Sequence, residues 1–431
     1  MVVSMLTAVL SATFVACAPP AGAADAGPAH GLVGSFCDPA RVTADRGAGV
    51  AVVVFGARWD LMFPARGAAD PRYRTAVGDA LRTCAAGGLR VVVDAGVQYV
   101  PAWARRLSGA ALRDQYGDPP ATGQLDVVFS ANVRTAVAEY LRELVADLPP
   151  GTVEAVRVGT STSGEIGLPG GIDGGRGHTD SWWAFGSAPQ SGSGLAAGQL
   201  RSPLPGWVPG QPRWSGRSVT PADAYTWFRW YERSVAQAQM WLAWTVRQSG
   251  FNGAIHLPVP GRGVLPATLA AAVGTLLAGA PGRDDAFSRG QDYTDQMPLF
   301  GGALPGAVID LTSVDDATAV RARAAVPPQD DCTFADANAV TDPATPVEQW
   351  SNLRYARAWV ARAGLGVVGE NPGPPGPNTG GVAGSDPEPE QLRRAPAYAR
   401  SCALAALLFA FEDDLYSGTS GITADDYRTA W

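Results

Sequence analysis

The chain has 431 residues, a formal net charge of −7 and a sequence pI near 5.1, enough length for one large domain or two ordinary ones. With no Arg-rich run it lacks the basic footprint that phosphate contacts need, so nucleic acid is excluded as a partner. Every basic residue is Arg and none is Lys, which removes Schiff-base chemistry.

The first residues, MVVSMLTAVLSATFVA, form an apolar run as long as a signal-peptide core and short for a bilayer span, although no basic segment precedes it. We expect a leader over residues 1–30, an extracytoplasmic location, and one folded domain over residues 31–431; a buried helix is the competing reading of the apolar run. Phe14-Val15-Ala16-Cys17 resembles a lipoprotein processing box and Ala21-Gly22-Ala23-Ala24 offers an ordinary cleavage site, so a lipid anchor in the membrane and free secretion both stay open. Cys37, Cys84, Cys332 and Cys402 then remain. In an oxidising compartment they can pair in three ways or stay as buried thiols, and their wide separation has no zinc-type spacing. No metal and no cofactor is implied.

Strand and helix patterns alternate from about residue 50 onward, the signature of a parallel sheet with crossover helices. Val50 to Phe55 is a Val-rich strand of the kind buried on both faces. A helix follows over Pro71 to Cys84, and LRVVVD, Leu89 to Asp94, is the second strand. Leu125 to Phe129 is a candidate third. Val133, Val137, Tyr140, Leu141, Leu144 and Leu148 recur at helical spacing until Pro149-Pro150, and Val153 to Gly159 is the next strand. From Ile166 to about Val219 a Gly-, Pro-, Ser- and Trp-rich stretch reads as one long functional loop.

Thr220-Pro221-Ala222-Asp223 carries a hydroxyl cap, Pro at the first helical position and an early carboxylate, so it starts a helix reaching Gly250. Its Trp227, Tyr231, Ala238, Trp241, Leu242 and Thr245 are expected to pack on the core. Phe251 to Leu257, Ala307 to Thr312, Leu365 to Gly369 and Ala405 to Phe411 complete about eight strands, with helices at Val264 to Leu277 and Pro346 to Ala363. Val320 to Thr345 and Pro372 to Pro389 read as insertions. The fold class expected is α/β, a single (β/α)8 barrel with long βα loop insertions.

In such barrels reactive groups sit at the C-terminal ends of strands. That rule selects Asp94, Glu165, Glu370 and the run Glu412-Asp413-Asp414. Hydrolysis of a glycosidic bond needs two carboxyls on opposite sides of it, one protonated and one ionised, and Glu165 and Glu370 can supply them. Glycines flank both, in Gly164-Glu165-Ile166-Gly167 and Gly369-Glu370-Asn371-Pro372-Gly373, where backbone can approach a ligand closely. Asp413 and Asp414 are candidates for sugar hydroxyls, or for a solvated helix start. Trp59, Trp103, Trp182, Trp183 and Trp207 lie in expected loops, each able to anchor its loop or to present a ring to a sugar. Only three His exist; with no G-x-S-x-G elbow, a Ser-His-Asp hydrolase is disfavoured, and His256 is read as a substrate hydrogen-bonder or a satisfied core residue.

VRVGTSTSGEIGLPG, GLGVVGENPGPP and ALLFAFEDDLYS resemble the fourth-, seventh- and eighth-strand segments of β-amylases, glycoside hydrolase family 14. FGARWDLMFP, LRVVVDAGVQYVPAWA and WFRWYERSV resemble family 42 β-galactosidases. The resemblance spans roughly residues 50 to 420 and implies Glu165 as general acid and Glu370 as base or nucleophile. It departs at Gly164, where clan-type retaining enzymes carry Asn, and in lacking the substrate-contacting Lys of β-amylases. We therefore expect an exported glycoside hydrolase acting on a carbohydrate, with Trp59, Asp94, Trp103, Trp182, Trp183, His256, Asn371, Asp413 and Asp414 as substrate contacts. The rival reading is a non-catalytic carbohydrate-binding barrel of the cell envelope. Oligomeric state is not set by the sequence.

Overall fold

A computed structural model describes residues 27–280, 285–314, 330–370, 388–410, 412–417 and 423–430. Eight parallel strands close into a barrel in chain order: β1 (Ala29–Val33), β2 (Val52–Gly56), β3 (Arg90–Asp94), β4 (Val153–Arg157), β5 (Ala254–Val259), β6 (Ala307–Leu311), β7 (Gly366–Glu370) and β8 (Ala406–Ala410). β1 closes the ring by pairing Ala29 with Ala406 and Val33 with Ala410. This is the (β/α)8 barrel expected.

Helices follow each strand: α1 (Pro39–Gly47), α2 (Pro71–Ala86), α3 (Ala131–Asp147), α4 (Pro221–Gln248), α5 (Pro266–Gly274) with α6 (Tyr293–Ala303), α7 (Asn352–Arg362), α8 (Glu388–Ser401), and after β8 the short α9 (Glu412–Ser417) and α10 (Ala424–Ala430). The start of α4 is the capping box read from its sequence: Thr220 Oγ1 accepts from the Asp223 N–H while the Asp223 carboxylate accepts from Thr220 N–H. Trp227, Tyr231, Ala238 and Leu242 on that helix are fully buried, as their spacing indicated.

Leu125 to Phe129 is not a strand. Its one ladder contact is an isolated bridge from Leu125 to Ala111, and it lies in the loop between β3 and α3. The eighth strand is instead β1, whose short AHGLV run carries little β-branched signal. It begins two residues inside the segment assigned to the leader; the rest of that leader, residues 1–26, lies outside the described residues.

Two disulfides hold the barrel's edges, Cys37–Cys84 and Cys332–Cys402. The first ties the β1–α1 turn to α2. The second ties the loop before α7 to the segment leading into β8. Among the described residues no helix is long and apolar enough to cross a membrane.

Side chains alternate along a strand, so every second residue enters the barrel. The inward set starts apolar, with Val33, Val52, Val54, Val92, Ala155, Val368, Ala406, Leu408 and Ala410 in one cluster. At Gly31 a Cβ would stand 2.3 Å from Leu408 Cδ2, so a side chain there would require Leu408 to move. Two residues on from Val92, Ala155, Val308 and Val368 come Asp94, Arg157, Asp310 and Glu370. Charge therefore enters the barrel in its last layer, at the C-terminal mouth.

Candidate active site

Glu165 lies eight residues past the end of β4, yet a tight turn returns it to the barrel mouth. Thr160 N and Ser161 N both donate to Glu165 O at 2.9 Å, and Ile166 N donates to Pro258 O of β5 at 2.9 Å. Gly164 has φ +79°, a left-handed conformation that favours glycine. A Cβ on Gly159 would lie 1.8 Å from Gly164 O, so the two glycines permit the fold-back. The Glu165 carboxylate is half-buried and accepts from Ser163 Oγ at 2.6 Å on Oε2 and from Thr312 Oγ1 on Oε1. Ser161 Oγ is hydrogen-bonded to Ser163 Oγ at 2.8 Å and accepts from the Glu165 N–H.

Glu370 is the last residue of β7 and is buried. Arg157, at the end of β4, donates from Nη1 to Glu370 Oε2 at 2.6 Å and lies 3.4 Å from Asp310 Oδ2 of β6. Asp94, half-buried at the end of β3, is in register with Arg157; it accepts from Gly96 N at 2.8 Å and from Gln98 Nε2 at 3.2 Å. One guanidinium thus serves a ring of carboxyls.

Burial pushes Glu370 up to about 8; Arg157 opposes the shift, and the nearby Asp310 and Glu165 charges add to it. Burial likewise raises Asp310, with Arg157 opposing, and raises Asp94 against the same cation. Because Asp310 and Glu370 both face Arg157 and influence each other, the high value belongs to the pair rather than to either carboxyl. That Glu165 contributes to the shift of Glu370 places the two sequence-selected glutamates within electrostatic reach of each other.

The remaining expected contacts fall into three groups. His256 of β5 is at the mouth, in register with Arg157 and buried; burial and then Arg157 lower its imidazole to about 4, so it is neutral at physiological pH. Trp59, Trp182, Trp183 and Trp207 are 0–2% exposed and offer no open ring face. Trp59 stacks on Tyr140; Trp182 meets Trp227 and Tyr231 edge-on; Trp183 Nε1 bonds Gly170 O and Trp207 Nε1 bonds Gln211 O. They anchor their loops, because a large ring gains most by full burial. Trp103 is half-buried, its Nε1 bonded to Phe63 O at 2.8 Å. Asp413 is 62% exposed and pairs with Arg41 of α1, away from the Arg157 ring. Asn371 and the Asp414 side chain lie outside the described residues.

Glu412, beside Asp413, is fully buried and turned toward α1, accepting from Phe36 N at 3.1 Å. Burial and then Asp45 push it up to about 7. The residues that sequence reasoning missed are Arg157, Asp310, Thr312, Ser161 and Ser163. The first two had a signal: a charged residue at an inward position of a strand whose other inward residues are apolar, Arg157 in VEAVR and Asp310 in AVIDL. The hydroxyls had none, since their role depends on a turn that only the fold creates.

Among the described residues no group of His, Cys, Asp and Glu has the arrangement of a metal site. No family model and no curated protein matches the sequence. By structure the chain is similar to the catalytic domain of β-amylase from Paenibacillus polymyxa, at 11% identity and TM-score 0.55, over 94% of this chain and 98% of that one. It is similar to the β-galactosidase from the psychrophilic Marinomonas ef1, at 11% identity and TM-score 0.54, over 94% of this chain and 62% of that one. A GH5_18 protein from Streptomyces cattleya, solved in complex with Manβ1-4GlcNAc, aligns at 14% identity and TM-score 0.50, over 94% and 79%. The class is thereby defined as a (β/α)8 barrel of the kind found in glycoside hydrolases. Within that class the likeness is one of fold, at 11–14% identity.

Proposed function

We propose that the protein is an exported glycoside hydrolase that cleaves an O-glycosidic bond of a poly- or oligosaccharide. Glu165 is the general acid that protonates the leaving oxygen, and Glu370 is the base or nucleophile on the other face of the sugar. The observation that carries this reading is the contrast between two glutamates at one barrel mouth. Glu370 is buried on the Arg157 guanidinium, which opposes the rise that burial imposes on its carboxyl. Glu165 is half-buried and fixed by two hydroxyls on the ends of β6 and of its own turn, where it can meet a leaving group. Glu165 follows β4 and Glu370 ends β7, with two strands between them on the ring, which suits groups that act from two sides of a bond. Asp94, with Gln98 beside it, is placed to accept from sugar hydroxyls. Export is supported by the two disulfides, which persist in oxidising compartments, and by the apolar start of the chain.

The test is a screen of oligo- and polysaccharides with reducing-end detection, repeated with Glu165→Gln and Glu370→Gln. Each variant is expected to lose about 10²–10⁴ of the turnover on any glycan that is cleaved, the usual worth of a positioned acid or base. Near-wild-type turnover in both would overturn the assignment.

A further inference from the structure

Arg157 Nη1 faces two carboxyls, and they are not equivalent. Glu370 Oε2 sits 2.6 Å away in a full hydrogen bond, whereas Asp310 Oδ2 is 3.4 Å away. Asp310 is 0% exposed, and neither of its carboxyl oxygens has a hydrogen-bond partner among the described residues. An ionised carboxylate with no hydrogen bond, sealed from water, is costly. A neutral carboxylic acid in the same place costs far less. The other charged or titratable groups facing the pair are Asp94 from β3, His256 from β5 and Glu165 from the β4 turn. His256 is neutral, so no second cation among them relieves Asp310.

We propose that Asp310 is a positioning residue: a neutral carboxylic acid that shares the Arg157 guanidinium with Glu370 and, by keeping the proton on itself, leaves Glu370 ionised at the barrel mouth. Glu370 then presents a carboxylate to a sugar or a water while Asp310 caps the buried side of the cation. A second negative charge at position 310 would compete for Arg157 and draw the proton onto Glu370. The strand-end glutamate works because the aspartate behind it does not ionise. This deepens the glycosidase reading, but the proton's location can be read without any substrate.

The experiment is isotope-edited infrared spectroscopy of the whole protein, labelled with carboxyl-¹³C in Asp or in Glu. A protonated-carboxyl C=O band that disappears as pH rises through about 8 is expected to shift with the Asp label. In unlabelled protein at about pH 6.5, Asp310→Asn should remove one such band, and Glu370→Gln should remove none. A Glu-labelled band in that range that Glu370→Gln removes, or the absence of any band in that range that Asp310→Asn removes, overturns the proposal; the bands of Asp126 and Glu412, which titrate near 7, persist in both variants and are subtracted. On a cleaved glycan, the acidic limb of the pH profile reads the ionisation of Glu370, and Asp310→Asn should leave the midpoint of that limb in place, because an amide replaces an acid that was already neutral. A large displacement of that limb would also overturn it. If instead the infrared result holds while Glu370→Gln remains active, the glycosidase assignment fails and the proton's place on Asp310 stands.

Discussion

Replacing Arg157 with Met removes the cation and keeps most of its packing volume. At an effective dielectric of about 20 the attraction of the guanidinium for an ionised Glu370 at 2.6 Å is about 6 kcal/mol. Relief of the desolvated guanidinium cancels much of this, so the net loss for breaking such a buried group is about 3–5 kcal/mol. The loss depends on pH, because an abandoned carboxylate can take up a proton. In the wild type one carboxyl of the pair is ionised in the folded state; in the variant both are protonated. Each carboxyl that stays protonated on folding costs about 1.36 kcal/mol per pH unit above its unfolded value near 4.3. One extra such group adds about 4 kcal/mol of destabilisation between pH 5 and pH 8. Urea unfolding at the two pH values measures it. Arg157→Met should be close to wild type in stability at pH 5 and several kcal/mol weaker at pH 8. A destabilisation equal at both pH values, within about 1 kcal/mol, would refute the charge account and leave only packing.

The native protein should itself lose stability as pH rises above about 6.5, the unfolded histidine value. Asp126 and Glu412, pushed up to about 7 by burial, hold protons in the folded state that the unfolded chain has released, so stability falls up to their folded values. His256, lowered to about 4, acts in the opposite sense, but only between about 4 and 6.5. A melting series should fall between about pH 6.5 and 7, and Asp126→Asn should make that fall shallower. Removing the Cys37–Cys84 bridge as a double Ser variant should cost about 4 kcal/mol by the loop-closure relation for a 47-residue separation, seen as an equivalent loss under denaturant. Gly159→Ala places a methyl against Gly164 O and should displace Glu165 from its Thr312 and Ser163 partners. Any glycan-cleaving activity would then drop at least tenfold while far-UV circular dichroism stays native; unchanged activity would mean that the turn is not what positions Glu165.

The β-branched runs, the helical periodicities and the Thr220 cap declare their elements locally, because each depends on residues within a few positions of one another. The rule that function gathers at strand ends then isolates Asp94, Glu165, Glu370 and the run Glu412-Asp413-Asp414 from 40 acidic residues. Local reasoning stumbled where the signal was weak or shared. AHGLV has too few β-branched residues to announce β1, and Leu125 to Phe129 has apolar content without a ladder. Loop tryptophans look alike whether they face a sugar or the core. Trp59, Trp182, Trp183 and Trp207 were claimed by the core because burying their rings anchors two long loops.

Periodicity announces the barrel, and strand ends single out Glu165 and Glu370 as candidates, since both signals are local. The company those carboxyls keep depends on how the ring closes. Arg157 and Asp310 come from β4 and β6, separated by 153 positions in the numbering from 157 to 310, and meet because closing the ring turns every second residue inward. Their charges interact strongly once that closure removes water from between them, and the same exclusion of water sets which carboxyl of the ring keeps a proton.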